Sequence, residues 1–217
     1  MEQNKAVLIA DLSGYTALTE THGASIAAEM VSKFSNIAKD SLYGDSILHQ
    51  CIGDEVMIVS SSADHLMNTA RLLIQNCTKE HLFLQVHGGL HYGKILLRDN
   101  NYFGSPINIA SRIATNASKG TIWCSSDFIH KLSAQNDFLF SLRGKHSFKN
   151  VSKAIAVYEL TIENIYPFHI DPVCRMQIHN QEAETRHPYD PNVFFCSSDC
   201  LEAYIKRKRI RLKPYII

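Results

Sequence analysis

Apolar residues fall into two rhythms along the chain. The run "AVLIADL" is short and unbroken, and it closes on Asp11-Leu12-Ser13-Gly14. Such a run bounded by turn formers predicts a buried strand. From about residue 24 to 42 the period changes. Ile26, Met30, Phe34 and Ile37 recur at three- and four-residue spacing, which predicts an amphipathic helix. "SILHQCIGDEVMIVSSS" returns to strand pattern and reads as a buried hairpin turning at Gly53-Asp54-Glu55. Leu66, Ala70, Leu73 and Cys77 mark a second amphipathic helix, with Ser62 or Asp64 as its N-cap.

"HLFLQVHGGLHYGKILLR" is strand-rich, and "DNNYFG" makes a turn. "SPINIASRIATNAS" is helical, with Pro106 in the first turn where its missing N–H costs nothing. "TIWCSS" and "AIAVYELT" are strands flanking a short helix at "SDFIHKL". The order β-α-β-β-α-β, followed by a helix and further strands, predicts an α+β fold on a ferredoxin-like plan. The pattern lapses near residues 161–169, so a boundary is expected there. It divides the chain into 1–162, a small Cys-bearing unit at 168–207 and a basic tail at 208–217.

Composition adds exclusions. The 217 residues are 45% hydrophobic, enough for a real core, and 22 basic side chains meet 21 acidic ones. That balance argues against a chain built around nucleic acid. No apolar run approaches the roughly 20 residues that cross a bilayer. A cytoplasmic protein without a membrane span is expected. Cys51, Cys77 and Cys124 lie in apolar contexts and read as buried thiols, whereas Cys174, Cys196 and Cys200 cluster.

Candidate chemistry begins with two acids at strand ends. Asp11 ends the first strand and Asp54 sits in the hairpin turn. On a βαββαβ sheet those strands are central neighbours, so the carboxylates converge and need a cation between them. Mg²⁺ suits such a pair when substrate phosphates complete its shell, and two ions can hold both oxygens of a phosphoryl transfer. The plainer alternative is a common Gly-Asp turn and a helix cap. "LSGYT" offers a helix N-terminus to phosphate. Asn108 and Arg112, four residues apart, share a helix face suited to an anionic transition state.

"ADLSGYTALTETHG", "CIGDEVMI", "HGGLHYGKI" and "NYFGSPINIASRIATNASKGTIWCS" together resemble the class III adenylate/guanylate cyclase catalytic domain over about residues 5–160. The related diguanylate cyclases carry a Gly-Gly-acid-acid-Phe hairpin, which is absent here. The resemblance implies metal-binding roles for Asp11 and Asp54, with two Mg²⁺ or Mn²⁺ ions and help from the Leu12 carbonyl. It implies phosphate binding at Ser13, Gly14, Tyr15 and Thr16, and transition-state roles for Asn108 and Arg112. Lys149 matches a phosphate-contacting lysine, although Asn150 replaces the glycine that follows it in the family. The implied reaction turns a nucleoside triphosphate into the 3′,5′-cyclic nucleotide and pyrophosphate at a homodimer interface.

The two base-selecting positions depart from the family pattern. Gln50 stands where adenylate cyclases usually carry lysine, and Asn101 where Asp or Thr is usual. Both are neutral amides that donate and accept, so ATP and GTP both remain open. That departure also supports an alternative, a weak or inactive cyclase-fold regulator that binds nucleotide or metal.

"DPVCRMQIHNQEAETRHPYDPNVFFCSSDCLEAY" spaces its cysteines C-x21-C-x3-C. Cys196 and Cys200 share a face if the segment after "VFF" is helical. With Cys174 folded back they form a thiolate pocket for Zn²⁺ or Cu⁺. The stretch resembles a YHS domain, with Arg175 replacing the usual glycine. A fourth ligand is not evident, and His179 and His187 are candidates. The plainer alternative is three reduced thiols in a small core.

Overall fold

The computed structural model describes residues 2–133, 137–149, 151, 153–163, 165–179 and 185–211, with side chains through Arg207. Asn150 and the basic end of the tail lie outside the described side chains.

Strand β1 (Glu2–Ser13) is an interior strand of the sheet, paired on both edges. It runs antiparallel to β3 (Glu55–Ser60) on one edge and to β4 (Phe83–Arg98) on the other. With β2 (Ile47–Ile52) outside β3, the order β2-β3-β1-β4 is the ferredoxin-like core expected from the sequence. The sheet continues through β6 (Ile122–Ser125), β8 (Ile155–Leu160) and β7 (Phe140–His146), while β5 (Asn101–Phe103) folds back on β4. Strand β7 was not anticipated. Its side chains are mostly exposed, which erases the apolar signal.

The alternation along β1 sorts two layers of helix. Ala6, Leu8, Ala10 and Leu12 face helices α1 (Tyr15–Asp40) and α2 (Ala63–Thr78) in the main core. Val7 and Ile9 face helix α3 (Ser105–Asn116) through Ala110 and Ala114. Gly89 makes this second layer tight, because a Cβ there would overlap the Ala110 carbonyl oxygen. The Ser62 hydroxyl caps α2 by accepting from the His65 N–H at 3.3 Å. A short helix, α4 (Ser126–Ile129), follows β6.

Three expectations are corrected. Helix α1 begins at Tyr15, nine residues before the apolar period starts. Its non-helical Gly23 (φ 84°, ψ 171°) divides it, and Ile26 is 40% exposed rather than core-facing. The hairpin is buried only along β3, since β2 is an edge strand with Ile47 and Ile52 in solvent. Cys51 shares that edge and is exposed, unlike Cys77 and Cys124.

The C-terminal stretch holds β9 (Phe168–Ile170), β10 (Met176–His179), β11 (Thr185–His187), β12 (Asp190–Phe195) and helix α5 (Ser198–Arg211). Strand β10 pairs with β4 at Met176↔Leu84. Val173, Cys174, Met176, Phe195 and Cys200 join the same apolar core as Leu12, Phe83 and Leu84. At the end of α2 the stretch satisfies carbonyls that a helix leaves without partners. The fully buried Gln177 donates its amide to the Cys77 and Glu80 carbonyls at 2.5 and 2.8 Å. His179 Nε2 meets the Thr78 carbonyl at 3.0 Å. No helix among the described residues is long and apolar enough to cross a membrane.

Replacing Gln177 by leucine removes the donor to the Glu80 carbonyl and leaves the Cys77 carbonyl only the Glu80 N–H at 3.3 Å, but also removes an Oε1 that has no partner. The net loss expected is about 2 kcal/mol, since a lost hydrogen bond costs about 0.5–1.5 kcal/mol and an orphaned group about 1–3 kcal/mol. Urea unfolding checks this as a lower midpoint at unchanged slope.

Candidate active site

Asp11 is placed by the two-sided pairing of β1, lying opposite Glu55 on β3 and His87 on β4. Asp54 follows Gly53, whose φ of 58° closes the β2–β3 turn. The two carboxyls therefore meet at one end of the sheet, within hydrogen-bonding reach of each other. Burial, and then the charge of Asp54, push the Asp11 carboxyl up to about 7. The Leu12 N–H, donating to Asp11 Oδ1 at 2.9 Å, only partly offsets this. Glu55, beside them, is also raised by burial and by Asp54. Two carboxylates that resist ionising together are a site that a divalent cation relieves, so the residues fit Mg²⁺ or Mn²⁺.

The turn after β1 opens α1. Gly14 adopts φ 99°, a left-handed conformation that glycine takes without strain. It supplies no side-chain cap, and the first turn of α1 carries no acid. The N–H groups after Tyr15, Thr16 and their neighbours thus lack local side-chain acceptors, which is the arrangement that receives phosphate. Ser13 is less open than expected. Its hydroxyl is hydrogen-bonded to His87 Nδ1 at 2.8 Å. His87 also hydrogen-bonds the backbone at Asp11, and burial lowers its pKa. His87 was missed from the sequence; its position opposite Asp11 on β4 was the available signal.

Asn108 and Arg112 project from α3, exposed and half-buried respectively. Lys149 is exposed next to Phe148, which packs on Ile109 and Ile113 of the same helix. Among the described residues, no hydrogen bond or ion pair joins these three side chains to Asp11 or Asp54. Gln50 is exposed on β2 just past a bulge at His49, and the Asn101 side chain donates to the Asp99 carbonyl at 3.1 Å. Their neighbours touch, with His49 and Tyr102 ring centroids 4.7 Å apart. A cavity of about 500 Å³ lies elsewhere, between Asp64, Asn68 and Arg71 of α2 and Ser133, Phe138 and Thr161, and holds none of these residues.

Residues 1–162 match the family described as "Adenylate and Guanylate cyclase catalytic domain". The chain belongs to this family. A Mycobacterium tuberculosis protein described as uncharacterized is 37% identical over 114 residues, 52% of this chain and 30% of that protein. An adenylate cyclase of Glutamicibacter nicotianae is 31% identical over 139 residues, 64% of this chain and 34% of that protein. The chain thus spans 30–34% of the length of these curated relatives. The adenylyl cyclase CyaB from P. aeruginosa superposes with a TM-score of 0.65 at 16% identity, over 76% of this chain and 96% of that one. At that identity the likeness concerns the fold.

The C-terminal cysteines also converge. Cys174 Sγ lies 3.5 Å from Cys196 Sγ, and Cys196 Sγ lies 3.4 Å from Cys200 Sγ. The fourth group beside them is His22 of α1, whose Nε2 is 3.5 and 3.6 Å from Cys196 and Cys200 Sγ. This corrects the expectation of His179 or His187. His179 is bound to Thr78, and His187 packs edge-on to Tyr204. The Cys196 thiol is drawn down to about 7, chiefly because Cys174 donates to it, while burial pushes Cys200 up to about 12.

Asp11 gives a signed prediction for metal-free protein. Its native pKa is raised, so the folded state holds the proton more tightly than the unfolded chain does. Stability is therefore lost as pH rises from about 4 through about 7, and is retained below that window. In chelator, Asp11→Asn is expected to melt higher than wild type at pH 8. The gap should close at pH 4, as read by paired thermal melts.

Proposed function

We propose that the chain cyclises a nucleoside triphosphate, ATP or GTP, to the 3′,5′-cyclic nucleotide with release of pyrophosphate. The observation that carries this reading is the meeting of Asp11 and Asp54 beside an uncapped helix N-terminus. One end of the sheet then offers both a cation site and a phosphate site. Asp11 and Asp54 hold the metal ions, Mg²⁺ or Mn²⁺, which when bound supply charge neutralisation at the α-phosphate and acidify the ribose 3′-hydroxyl. The turn from Ser13 to Thr16 receives the β- and γ-phosphates through main-chain N–H groups. The substrate 3′-hydroxyl gives its proton to solvent, O3′ forms a bond to the α-phosphorus, and the bond from that phosphorus to the oxygen shared with the β-phosphate breaks, so that pyrophosphate leaves. Arg112 meets the charge that develops on the phosphoryl oxygens, Asn108 orients the ribose, and Lys149 holds phosphate.

Among the described residues, no hydrogen bond or ion pair within one chain joins Asn108, Arg112 or Lys149 to the carboxylate pair. This supports a site completed by a second copy, whose α3 faces the first copy's carboxylates. The exposed Ile47, Ile52 and Phe103 give that second copy apolar surface to cover.

Purified chain with ATP or GTP and Mn²⁺ or Mg²⁺ is expected to yield cyclic nucleotide, and Asp54→Ala is expected to yield none. Absence of product with every pair would overturn the reading in favour of a nucleotide-binding regulator. Arg112→Ala alone should lower kcat by about 10²–10³. Mixing it with Asp54→Ala should restore about a quarter of wild-type activity, because half of the dimers then hold one intact site of two. No recovery would argue against the shared site. Gln50→Lys should favour ATP over GTP, since it offers the base only donors; competition assays report the ratio.

A further inference from the structure

Outside the carboxylate site, the described residues place His22, Cys174, Cys196 and Cys200 with their ligand atoms all within 4.8 Å of one another. Four of the six edges of this group have the size of a coordination shell, and the two from Cys174 to Cys200 and to His22 are no longer than 4.8 Å. Zinc bonds to sulfur and nitrogen set tetrahedral edges of about 3.8 Å between sulfurs and about 3.6 Å from sulfur to nitrogen. The described separations of 3.4–3.6 Å lie close to both values. They are far from a disulfide bond length of about 2.05 Å, and three thiols cannot all pair.

The surroundings hold the ligands in place. Buried Asp171 accepts the N–H groups of Val173 and Cys174 on Oδ1, at 2.7 and 3.2 Å, and of Cys196 on Oδ2, at 2.8 Å. One carboxylate thereby fixes both ligand-bearing loops. The Cys200 N–H donates to Ser197 Oγ at 3.3 Å at the start of α5. A cavity of about 320 Å³ bordered by His22, Cys196, Ser197 and Met176 leads to the group from solvent.

His22 makes the cluster more than a C-terminal feature. It belongs to α1, eight residues beyond Gly14, and the break at Gly23 follows it directly. Arg175, next to Cys174, sits against Gly14 so closely that a Cβ on that glycine would lie 2.5 Å from the Arg175 Cβ. The cluster therefore grips both ends of the first two turns of α1.

We propose that His22, Cys174, Cys196 and Cys200 bind one Zn²⁺ ion and that this ion clamps the C-terminal stretch onto the turn Ser13–Thr16. Three thiolates and one imidazole without an open position define a structural site. Zinc loading then sets the order of α1's N-terminus. The metal site stands without the cyclase reading; its effect on nucleotide turnover rests on that reading.

The test uses the full chain in two steps that need no nucleotide. Elemental analysis of protein reconstituted with Zn²⁺ and desalted should give one zinc per chain. Cys196→Ser should lose it. His22→Ala, which alters only a half-buried side chain, should weaken binding by more than about 10-fold in competition with a chromophoric chelator. In the Co²⁺-substituted protein the same variant should change the tetrahedral visible spectrum. Zinc-free wild type, or His22→Ala with unchanged affinity and spectrum, overturns the site, as does copper bound in preference to zinc. Hydrogen exchange of residues 13–22 should then slow about 10-fold or more on adding Zn²⁺. Unchanged exchange in zinc-loaded protein overturns the clamp. Loss of cyclase activity in every assay, with zinc and exchange as expected, refutes the cyclase reading alone.

Discussion

The two-sided pairing of β1 is the constraint on which the rest depends. Its edges are taken by β3 and β4 and its faces by α1, α2 and α3. A strand held on four sides cannot slip register, because a one-residue shift would turn Leu8 and Ala10 out of one core and Val7 and Ile9 out of the other. That register puts Asp11 at the rim, opposite Glu55 and His87. A carboxyl at that depth is desolvated, and the closure of the hairpin at Gly53 brings a second acid to it.

The site is thus electrostatically unfavourable by construction in the absence of a cation. The same feature that raises the Asp11 pKa is the one that a divalent ion would relieve. Strain of this kind is tolerated because β1 contributes Ala6 to Ala10 and Leu12 to the cores, and their burial outweighs one repelling pair. Residues suited to transition-state charge sit on α3, across the sheet from α1 and α2. Gly89 sets the depth of that helix. The two helix layers lie on opposite faces of β1 and β4, which hold them in one frame.

The C-terminal stretch is stitched to the same frame by backbone pairing to β4, by Gln177 and His179 at the end of α2, and by shared core residues. The His22–cysteine group adds a fourth tie, at α1 itself.

Local signals carried much of this. Period and turn chemistry marked β1, α2, α3 and their order, and hence the α+β class, because those elements bury a face and write that burial into their spacing. Asp11, Asp54, Asn108 and Arg112 were legible for the same reason: each stands at a strand end or on a helix face. The exposed β7 carried little signal, since an edge strand in water has no need of alternation, whereas β2 was read as a strand but its Ile47 and Ile52 lie in solvent. Cys51 misled because an apolar neighbourhood in sequence is not burial in space. His87 and His22 were invisible as partners, one joined to Asp11 only through strand register and the other to Cys196 across 174 residues. What the sequence by itself determined was the set of elements and the residue types able to bind metal and phosphate. That Asp11 would meet Asp54, and Cys174 the later cysteines, was legible in strand order and spacing; that His87 and His22 join them was decided by the tertiary structure alone, because such a partner is a matter of distance across the fold.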